Sequence, residues 1–390
     1  MNGFRVGKIF NINIEIDWSW LLIFGLVSWS LASSFGQMHA DWTPLMQWGM
    51  ALLAALLFFL SVLAHELAHS LVARAQGVPV RNITLFMFGG VSNIQKEPAS
   101  PVNELLVAIV GPLTSFILGG LFLLLGTGGL ALSNLTATNM SELLSQLGPM
   151  NTIFLWLGSV NILVGLFNLI PGFPLDGGRV VRSILWGITN DLKKATRWAS
   201  WLGQAVAWLL ILAGMAMLFG AQIPVLGSGF INGLWLIFIG WFLQNAAVQS
   251  YRRVVIQDIL EDIPVKRLMS PTVPTAPAHI SVEEFVDNYL MRSDNRAFIV
   301  YEEDKMVGLI TIEDVRKLAT EARRATLVRD VMTPSEKMIV VAPEEDVTDA
   351  FERLQMKDIR QLPVVAGNKI VGLLRRKDIV HWLQFQSQAG

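Results

Sequence analysis

The sequence contains no cysteine, so disulfide bonds, thiolate catalysis and cysteine-ligated metal sites are all excluded. Any metal ion in this protein must therefore be bound by histidine, aspartate or glutamate. An excess of positive charge is also lacking, because the formal net charge is -1. Such a chain offers no broad basic surface, and we therefore expect no nucleic-acid partner.

Charged residues are scarce in the first part of the chain. They make up 16% of the 390 residues, whereas 53% of the residues are apolar; soluble proteins have about 25% charged residues. The scarcity is confined to residues 1–250, which hold 10 of the 30 Lys and Arg residues and 9 of the 31 Asp and Glu residues. Residues 1–250 therefore indicate a membrane-embedded segment, and residues 251–390 a soluble one.

Six apolar stretches are long enough, or nearly so, to cross a lipid bilayer as helices of about 20 residues. They lie at roughly 18–36, 48–75, 103–127, 151–170, 198–219 and 229–249. Before the first span, Ile12, Ile14 and Ile16 alternate with polar residues. This pattern predicts a strand rather than the apolar core of a cleavable signal peptide.

Lysine and arginine occur only in alternate connections between these spans. The connections 37–47, 128–150 and 220–228 contain neither residue, whereas the N-terminal segment, the other two connections and the segment after the sixth span all contain basic residues. Because cytoplasmic loops are enriched in Lys and Arg, we expect a multi-pass protein with both termini in the cytosol. The absence of long eukaryotic-type insertions favours a prokaryotic plasma membrane.

The second span contains His65-Glu66-Leu67-Ala68-His69. Side chains at positions i and i+4 share one face of a helix, so both imidazoles can bind one metal ion. Glu66 can accept a proton from a water that the metal activates. Three ionisable groups inside an apolar span are costly without a function, which favours a metal site over an accidental polar cluster. We expect His39, His279 and His381 to be ordinary surface residues.

A catalytic zinc ion needs three protein ligands and an open position, so a third ligand must come from elsewhere. We expect Asp176, which follows the fourth span among prolines and glycines that break the helix and let the chain turn. The second and fourth spans both run toward the cytosol, which gives all three residues a similar depth in the cytosolic half of the bilayer. A turn or helix-capping aspartate is the alternative.

These residues resemble the site-2 protease family of intramembrane zinc metalloproteases over nearly all of residues 1–250. The resemblance rests on the H-E-x-x-H motif, the later N-x-x-P-x-x-P-L-D-G-G segment from Asn168 to Gly178, Gly89-Gly90 and Gly111-Pro112. It implies one zinc ion per chain and hydrolysis of peptide bonds in transmembrane proteins. Membrane-bound anti-sigma factors and signal-peptide remnants are substrates that the family suggests.

The resemblance also implies roles in substrate binding. Asn168 would bind the substrate or stabilise the oxyanion, the alternative being a helix-packing amide. Ser115 stands where many relatives have asparagine, and its hydroxyl would replace that polar contact. Residues 79–95 predict a hairpin whose edge could bind unwound substrate as an added strand. Gly89 and Gly90 would permit close backbone approach; a purely structural hairpin is the alternative.

The C-terminal part contains an internal repeat, residues 264–320 and 327–384. Val265 to Pro271 aligns with Val328 to Pro334, and Val307 to Asp314 aligns with Val371 to Asp378. Each copy predicts the order strand, helix, strand, strand, helix. Because a domain of this size is only marginally stable alone, we expect the copies to fold as one packed pair.

This repeat resembles a tandem pair of CBS domains. The resemblance implies clefts that bind adenine nucleotides such as ATP, ADP or AMP, with Thr311, Asp314 and Asp378 at positions that contact phosphate and ribose. Arg375 stands where the hydroxyl of the second copy is usual, and it either pairs with a phosphate or blocks the site. A module that binds no nucleotide and only forms a homodimer is the alternative.

The expected fold is a mainly α membrane protein, a bundle of six transmembrane helices with a small β-sheet or hairpin, followed by a soluble α/β tandem CBS module. The expected layout is a membrane-embedded metalloprotease domain at 1–250, a linker at 251–263 and CBS domains at 264–324 and 325–390. We expect the CBS pair to regulate the membrane site. A CBS-regulated transporter or channel and a metal-binding pseudoprotease are the alternatives.

Overall fold

The computed structural model describes residues 3–94, 98–132, 147–223, 227–293, 295–303, 305–357, 359–367 and 369–388. The chain divides into two compact units, Met1–Arg252 and Arg253–Gly390. The last residue of the predicted hairpin, Gln95, and one basic residue behind the predicted topology, Lys96, lie outside the described residues.

The described part of the first unit is built mainly from long α-helices. In chain order these are α1 (Trp18–Met38), α2 (Pro44–Ala75), α3 (Pro101–Leu132), α4 (Pro149–Asn168), α5 (Asp176–Thr189), α6 (Leu192–Leu218) and α7 (Phe230–Leu260). The residues of α7 from Arg253 onward belong to the second unit. By length and composition, six of these helices are able to cross a membrane, all except α5. The six predicted spans are thereby confirmed.

Small residues let these helices pack closely. Ala51, Ala54 and Ala55 of α2 are fully buried in a cluster that includes Ile153 and Leu157 of α4. Lipid tails are as apolar as these side chains, so close van der Waals packing, rather than exclusion of water, holds such helices together. The position of α2, which carries the H-E-x-x-H motif, is fixed in this way.

A four-stranded sheet lies beside the helices. Its strands are β1 (Gly3–Ile9), β2 (Ile12–Asp17), β3 (Val80–Phe86) and β4 (Gly89–Ile94), in the spatial order β1-β2-β3-β4. The β2–β3 pair is parallel and the other two pairs are antiparallel. The predicted strand at Ile12 and the predicted hairpin are both present, and β4 is an edge strand of this sheet.

Two helices include residues that were expected to form a turn or a linker. The chain was expected to turn after Asp176, but Asp176 begins α5, an amphipathic helix that buries Gly177 and Gly178 on one side. Helix α7 continues to Leu260, through residues that were expected to form a linker. The reason is that no proline or glycine interrupts the chain between Gly240 and Pro264.

The second unit contains both repeats. Its helices are α8 (Val265–Leu268), α9 (Val282–Phe285), α10 (Ile312–Arg316), α11 (Val328–Val331), α12 (Val347–Met356) and α13 (Arg376–Gln388). Its strands are β5 (Thr275–Pro277), β6 (Ala297–Glu302), β7 (Lys305–Thr311), β8 (Thr333–Pro334), β9 (Gln361–Ala366) and β10 (Lys369–Arg375). One sheet has the order β5-β6-β7-β8, and β9 pairs with β10.

The two repeats exchange their first segments. Strand β8, which opens the second repeat, pairs with β7 of the first, and Ser270 near the start of the first repeat pairs with Leu373 of the second. Val265 is buried in the core of the second repeat, and Val328 in the core of the first. Each repeat therefore completes the other, in agreement with the predicted packed pair.

Candidate functional site

Three side chains that the sequence analysis selected as metal ligands meet at one point. His65 and His69 project from α2, and Asp176 is the first residue of α5. The Oδ2 atom of Asp176 lies 3.1 Å from each Nε2 atom, and the two Nε2 atoms lie 3.2 Å apart. Both histidines are buried. Among the described residues this is the one group of three His, Asp or Glu side chains able to hold a metal.

The chemistry of this group fits a cation. His69 Nδ1 must donate to the carbonyl oxygen of Val107, 2.6 Å away, because a carbonyl only accepts. A neutral His69 ring therefore presents a lone pair at Nε2, facing the second imidazole and a carboxylate oxygen. Zinc bound tetrahedrally at about 2.0 Å keeps its ligand atoms about 3.3 Å apart, close to the separations in this group.

A second hydrogen bond orients the other imidazole. His65 Nδ1 lies 2.9 Å from Ser115 Oγ, and Ser115 is buried on α3. Metal-binding histidines almost always use their second nitrogen in this way, which fixes the orientation of the ring. The geometry thus gives Ser115 a contact with a ligand, and its expected contact with substrate stays a prediction.

Glycine is required where α3 passes the two histidines. A Cβ atom on Gly111 would lie 2.1 Å from His69 Nε2 and 2.6 Å from His65 Nε2. Such a methyl group would occupy the space that an ion bonded to both nitrogens needs. The Gly111-Pro112 pair, which the sequence analysis noted only as part of a resemblance, thus has a direct physical role at the site.

A buried ion pair ties α5 to α3. Glu104 of α3 and Arg182 of α5 are both buried, and Arg182 Nε donates to Glu104 Oε1 over 2.5 Å. Glu104 lies one helical turn before Val107, the residue whose carbonyl accepts from His69. Helix α3 therefore fixes both α5, which begins with Asp176, and one imidazole ligand.

The predicted base Glu66 lies against β4. A Cβ atom on Gly90 would come within 2.3 Å of Glu66 Cγ, so a larger residue there would displace the Glu66 side chain. Gly89 has a φ of +130°, a conformation that favours glycine for backbone reasons. Asn168 is half-buried at the end of α4. The predicted substrate roles of Gly89, Gly90 and Asn168 stay predictions.

The four predicted nucleotide-binding residues of the tail bond mainly to residues three positions away in their own repeats. Asp314 Oδ2 accepts from the backbone N–H of Thr311 at 3.0 Å, and the Asp314 backbone N–H donates to the Thr311 hydroxyl at 3.3 Å, which forms a capping box on α10. The Thr311 hydroxyl also donates to Asp314 Oδ2 over 2.7 Å. Asp378 accepts two hydrogen bonds from the guanidinium of Arg375, at 2.8 and 2.9 Å. A third guanidinium nitrogen of Arg375 lies 3.4 Å from Asn295 Oδ1.

Sequence reasoning missed several of these contacts and made one wrong assignment. His39, expected at the surface, is only 1% exposed, stacks on Trp42 and lies 3.0 Å from the Thr152 hydroxyl. The Glu104–Arg182 pair joins residues 78 positions apart, so no local pattern reports it. The only indication of this ion pair in the sequence is that Glu104 and Arg182 lie in or beside apolar segments, where an unpaired charge is costly.

Comparison with known proteins places both units in described families. The sequence model of peptidase family M50 matches residues 53–213, and that of the CBS domain matches residues 265–321 and 328–384. A protein from Synechocystis sp. whose name describes a zinc metalloprotease is 34% identical over 389 residues, 98% of this chain and 96% of that protein. Rip3 of Mycobacterium tuberculosis, with the same description, is 33% identical and covers 96% of this chain and 91% of its own.

A solved structure is also similar to this chain. The site-2 protease from Methanocaldococcus jannaschii is 27% identical and covers 64% of this chain and 95% of its own, with a TM-score of 0.42. The full-length identity to the Synechocystis and Mycobacterium proteins decides the assignment: the chain belongs to peptidase family M50 and is a zinc metalloprotease of the site-2 protease type with a C-terminal pair of CBS domains.

Proposed function

We propose that this metalloprotease hydrolyses peptide bonds of transmembrane proteins within the bilayer, at a zinc ion bound by His65, His69 and Asp176. The observation that carries the proposal is the meeting of their three ligand atoms, none more than 3.2 Å from the others. Two of these residues lie on α2, a helix apolar enough to cross a membrane. Soluble substrates would not require a site in such a place.

The chain's own residues handle the proton in the proposed mechanism. When bound, zinc supplies Lewis acidity, which polarises the scissile carbonyl and makes water more acidic. Glu66 takes the proton of the attacking water as its oxygen bonds to the carbonyl carbon, and gives a proton to the amine nitrogen as the C–N bond breaks. Asn168 would donate its amide N–H to the oxyanion that develops on the carbonyl oxygen.

The substrate must unwind before it is cut, because the peptide bonds of a transmembrane helix are shielded by their own hydrogen bonds. We expect the unwound segment to add to the edge of β4 as a further strand. The support is the contact of β4 with α2, since Gly90 lies directly against Glu66. A strand bound there would lie close to the base.

We infer the orientation in the membrane from the distribution of charge. Basic residues occur only in alternate connections, which supports a multi-pass protein with both termini in the cytosol of a prokaryotic cell. Three proteins that are similar over nearly the whole chain come from two bacteria and an archaeon, in keeping with that source. The metal site would then lie in the cytosolic half of the plasma membrane.

The CBS pair is proposed to regulate proteolysis by binding an adenine nucleotide, with homodimer formation as a second contribution. The proposed layout is the protease at 1–250, a linker at 251–263, and CBS domains at 264–324 and 325–390. A nucleotide can change substrate access only if it binds two states of the protein with different affinities. If ATP, ADP and AMP change neither the cleavage rate nor the melting temperature, this part of the proposal fails.

The proteolytic function is tested with the full-length chain in lipid vesicles, mixed with a candidate single-span substrate. We expect about one zinc ion per chain by metal analysis, and a cleaved product. Glu66→Gln should keep the zinc and lose cleavage, whereas Glu261→Gln, an exposed residue of the tail, should change neither. Cleavage by Glu66→Gln, or cleavage by a wild-type chain without metal, would contradict the proposal.

A further inference from the structure

Glu66 is bonded to a serine on the neighbouring strand. The Oγ atom of Ser92 on β4 donates to Glu66 Oε2 over 2.8 Å and lies 3.1 Å from the backbone oxygen of the same residue. Ser70, one helical turn after Glu66 on α2, is fully buried, and its hydroxyl donates to Ser92 Oγ over 3.1 Å. The H-E-x-x-H motif, which points to Glu66, gives no indication of either serine.

The direction of these bonds follows from the number of protons. A serine hydroxyl has one proton to donate and can accept others, whereas an ionised carboxylate only accepts. Ser92 therefore gives its proton to Glu66 and accepts the proton of Ser70. Hydrogen bonds to an ionised acceptor are about twice as strong as neutral ones, so this bond holds the carboxylate in one orientation.

The strand that carries Ser92 is itself held in place. Ser92 lies opposite Ile83 of β3, which is fully buried. Gly90, two positions earlier, shares a face of β4 with Ser92, because side chains alternate along a strand. Strand β4 thus contacts Glu66 at two points. The backbone of Gly90 lies against the methylene groups of the Glu66 side chain, and the Ser92 hydroxyl donates to its carboxylate.

We propose that Ser92 is a positioning residue, which holds the Glu66 carboxylate in the orientation needed to accept the proton of water, and that Ser70 fixes the Ser92 hydroxyl. The inference deepens the proposed function and rests on the role of Glu66 as the base. Strand β4 would then have two roles: its edge binds the unwound substrate, and its residue Ser92 orients the base Glu66. Substrate bound at this edge steadies Ser92 and, through it, Glu66.

The test is the steady-state kinetics of the full-length chain in vesicles. Ser92→Ala should lower kcat by about 10- to 100-fold, the effect of losing a hydrogen bond to a charged group, with KM and zinc content unchanged. Ser92→Thr keeps the hydroxyl, suits a strand and should restore most of kcat. Ser70→Ala, which acts one bond further away, should have a smaller effect on kcat.

A matched control lies on the same helix. Ser61 of α2 is also buried, but its hydroxyl bonds to the Leu57 carbonyl of its own helix. Ser61→Ala should leave kcat unchanged, which separates the loss of a buried hydroxyl from the loss of this contact with Glu66.

Three results would overturn the inference: wild-type kcat in Ser92→Ala, a higher KM at unchanged kcat, or loss of zinc in Ser92→Ala that Ser92→Thr does not reverse. The second would make Ser92 a substrate contact, and the third would make its role structural. These outcomes are distinct from a failure of the proposed function, which would appear as an inactive wild type or an active Glu66→Gln.

Discussion

Carboxylates in the two units find their partners at very different distances along the chain. Asp176 meets imidazoles that lie 107 and 111 residues earlier, and it is part of a buried cluster. In the tail, Asp314 and Asp378 bond to residues only three positions earlier, Thr311 and Arg375. All these aspartates lie in the first turn of a helix, so they occupy the same type of position in sequence.

The contrast separates a site that needs a ligand from sites that do not. A capping box satisfies its polar groups within one helical turn, with no further atom required. At the other site the neutral His69 ring, whose Nδ1 donates to the Val107 carbonyl, leaves a lone pair facing a carboxylate and an imidazole, and a metal ion bonded to all three makes that arrangement favourable. The candidate site of the membrane unit therefore depends on contacts between residues distant in the chain. In the tail, the candidate nucleotide-binding residues form local contacts that also stabilise the ends of helices.

Removing one aspartate from each unit gives the largest contrast. Asp176→Ala should abolish zinc retention and reduce cleavage on the order of 10³-fold or more, because two imidazoles alone do not complete a zinc site. Asp314→Ala should leave the zinc in place and cost the tail about 1 kcal/mol through a weakened cap. Metal analysis and a cleavage assay of both variants measure these effects. If Asp176→Ala binds zinc as tightly as the wild type, Asp176 is not a ligand and the contrast between the two aspartates is wrong.

The second effect concerns the ion pair that supports α5. Glu104→Gln leaves the buried Arg182 guanidinium without its carboxylate, which should destabilise the membrane unit by about 3–5 kcal/mol. The double variant Glu104→Leu with Arg182→Leu removes both charges and should recover much of that loss. Thermal unfolding in detergent measures both, and a single variant as stable as wild type would show that α5 is held by other contacts.

A smaller effect is expected where α3 passes the histidines. Gly111→Ala introduces a methyl group into the space between the two Nε2 atoms and should weaken zinc binding about 100-fold, the size of effect that changes around a metal site produce. Gly120→Ala is the matched control, since nothing lies within 4 Å of its added Cβ atom on the same helix. Competition with a chelator compares them, and equal zinc affinity in both would contradict the steric role of Gly111.

The sequence predicts what depends on composition and short spacing. Apolar runs predict all six spans, the alternation at Ile12 predicts β2, and the repeat predicts the paired tail. The i, i+4 spacing of His65 and His69 gives their common face on α2. Each of these features is determined by residues close together in the chain, where helix and strand periodicity apply.

The features it does not predict come from contacts between distant segments. Nothing near Ser92 indicates that its hydroxyl will reach Glu66, because that contact depends on the docking of β4 on α2. The helix at Asp176 was missed since its two glycines indicate a turn, yet they are needed where α5 packs against the backbone of residues 169–173. Interlocking of the repeats likewise depends on pairing between segments of different repeats, such as Ser270 with Leu373 and Leu309 with Thr333.

The smallest expected effect concerns Arg375 and tests whether the second repeat of the tail can bind a nucleotide. Its guanidinium occupies both carboxylate oxygens of Asp378, whereas Asp314 has one oxygen bonded to its cap residue and the other paired with Lys317, an exposed side chain that is easily displaced. We therefore expect Arg375 to block the second cleft, so that the wild-type tail binds nucleotide through the first repeat.

Arg375→Thr gives the second repeat the same threonine and aspartate pair as the first and frees Asp378 from the guanidinium. Calorimetric titration of the full-length variant with ATP and AMP should show a second binding event, or a gain in affinity of up to about tenfold. The substitution should change the free energy of unfolding of the tail by only about 1 kcal/mol or less. If affinity falls instead, Arg375 pairs with a phosphate. In that case the tail, like the membrane unit, would depend on a charged group that is fully used only when its ligand is bound.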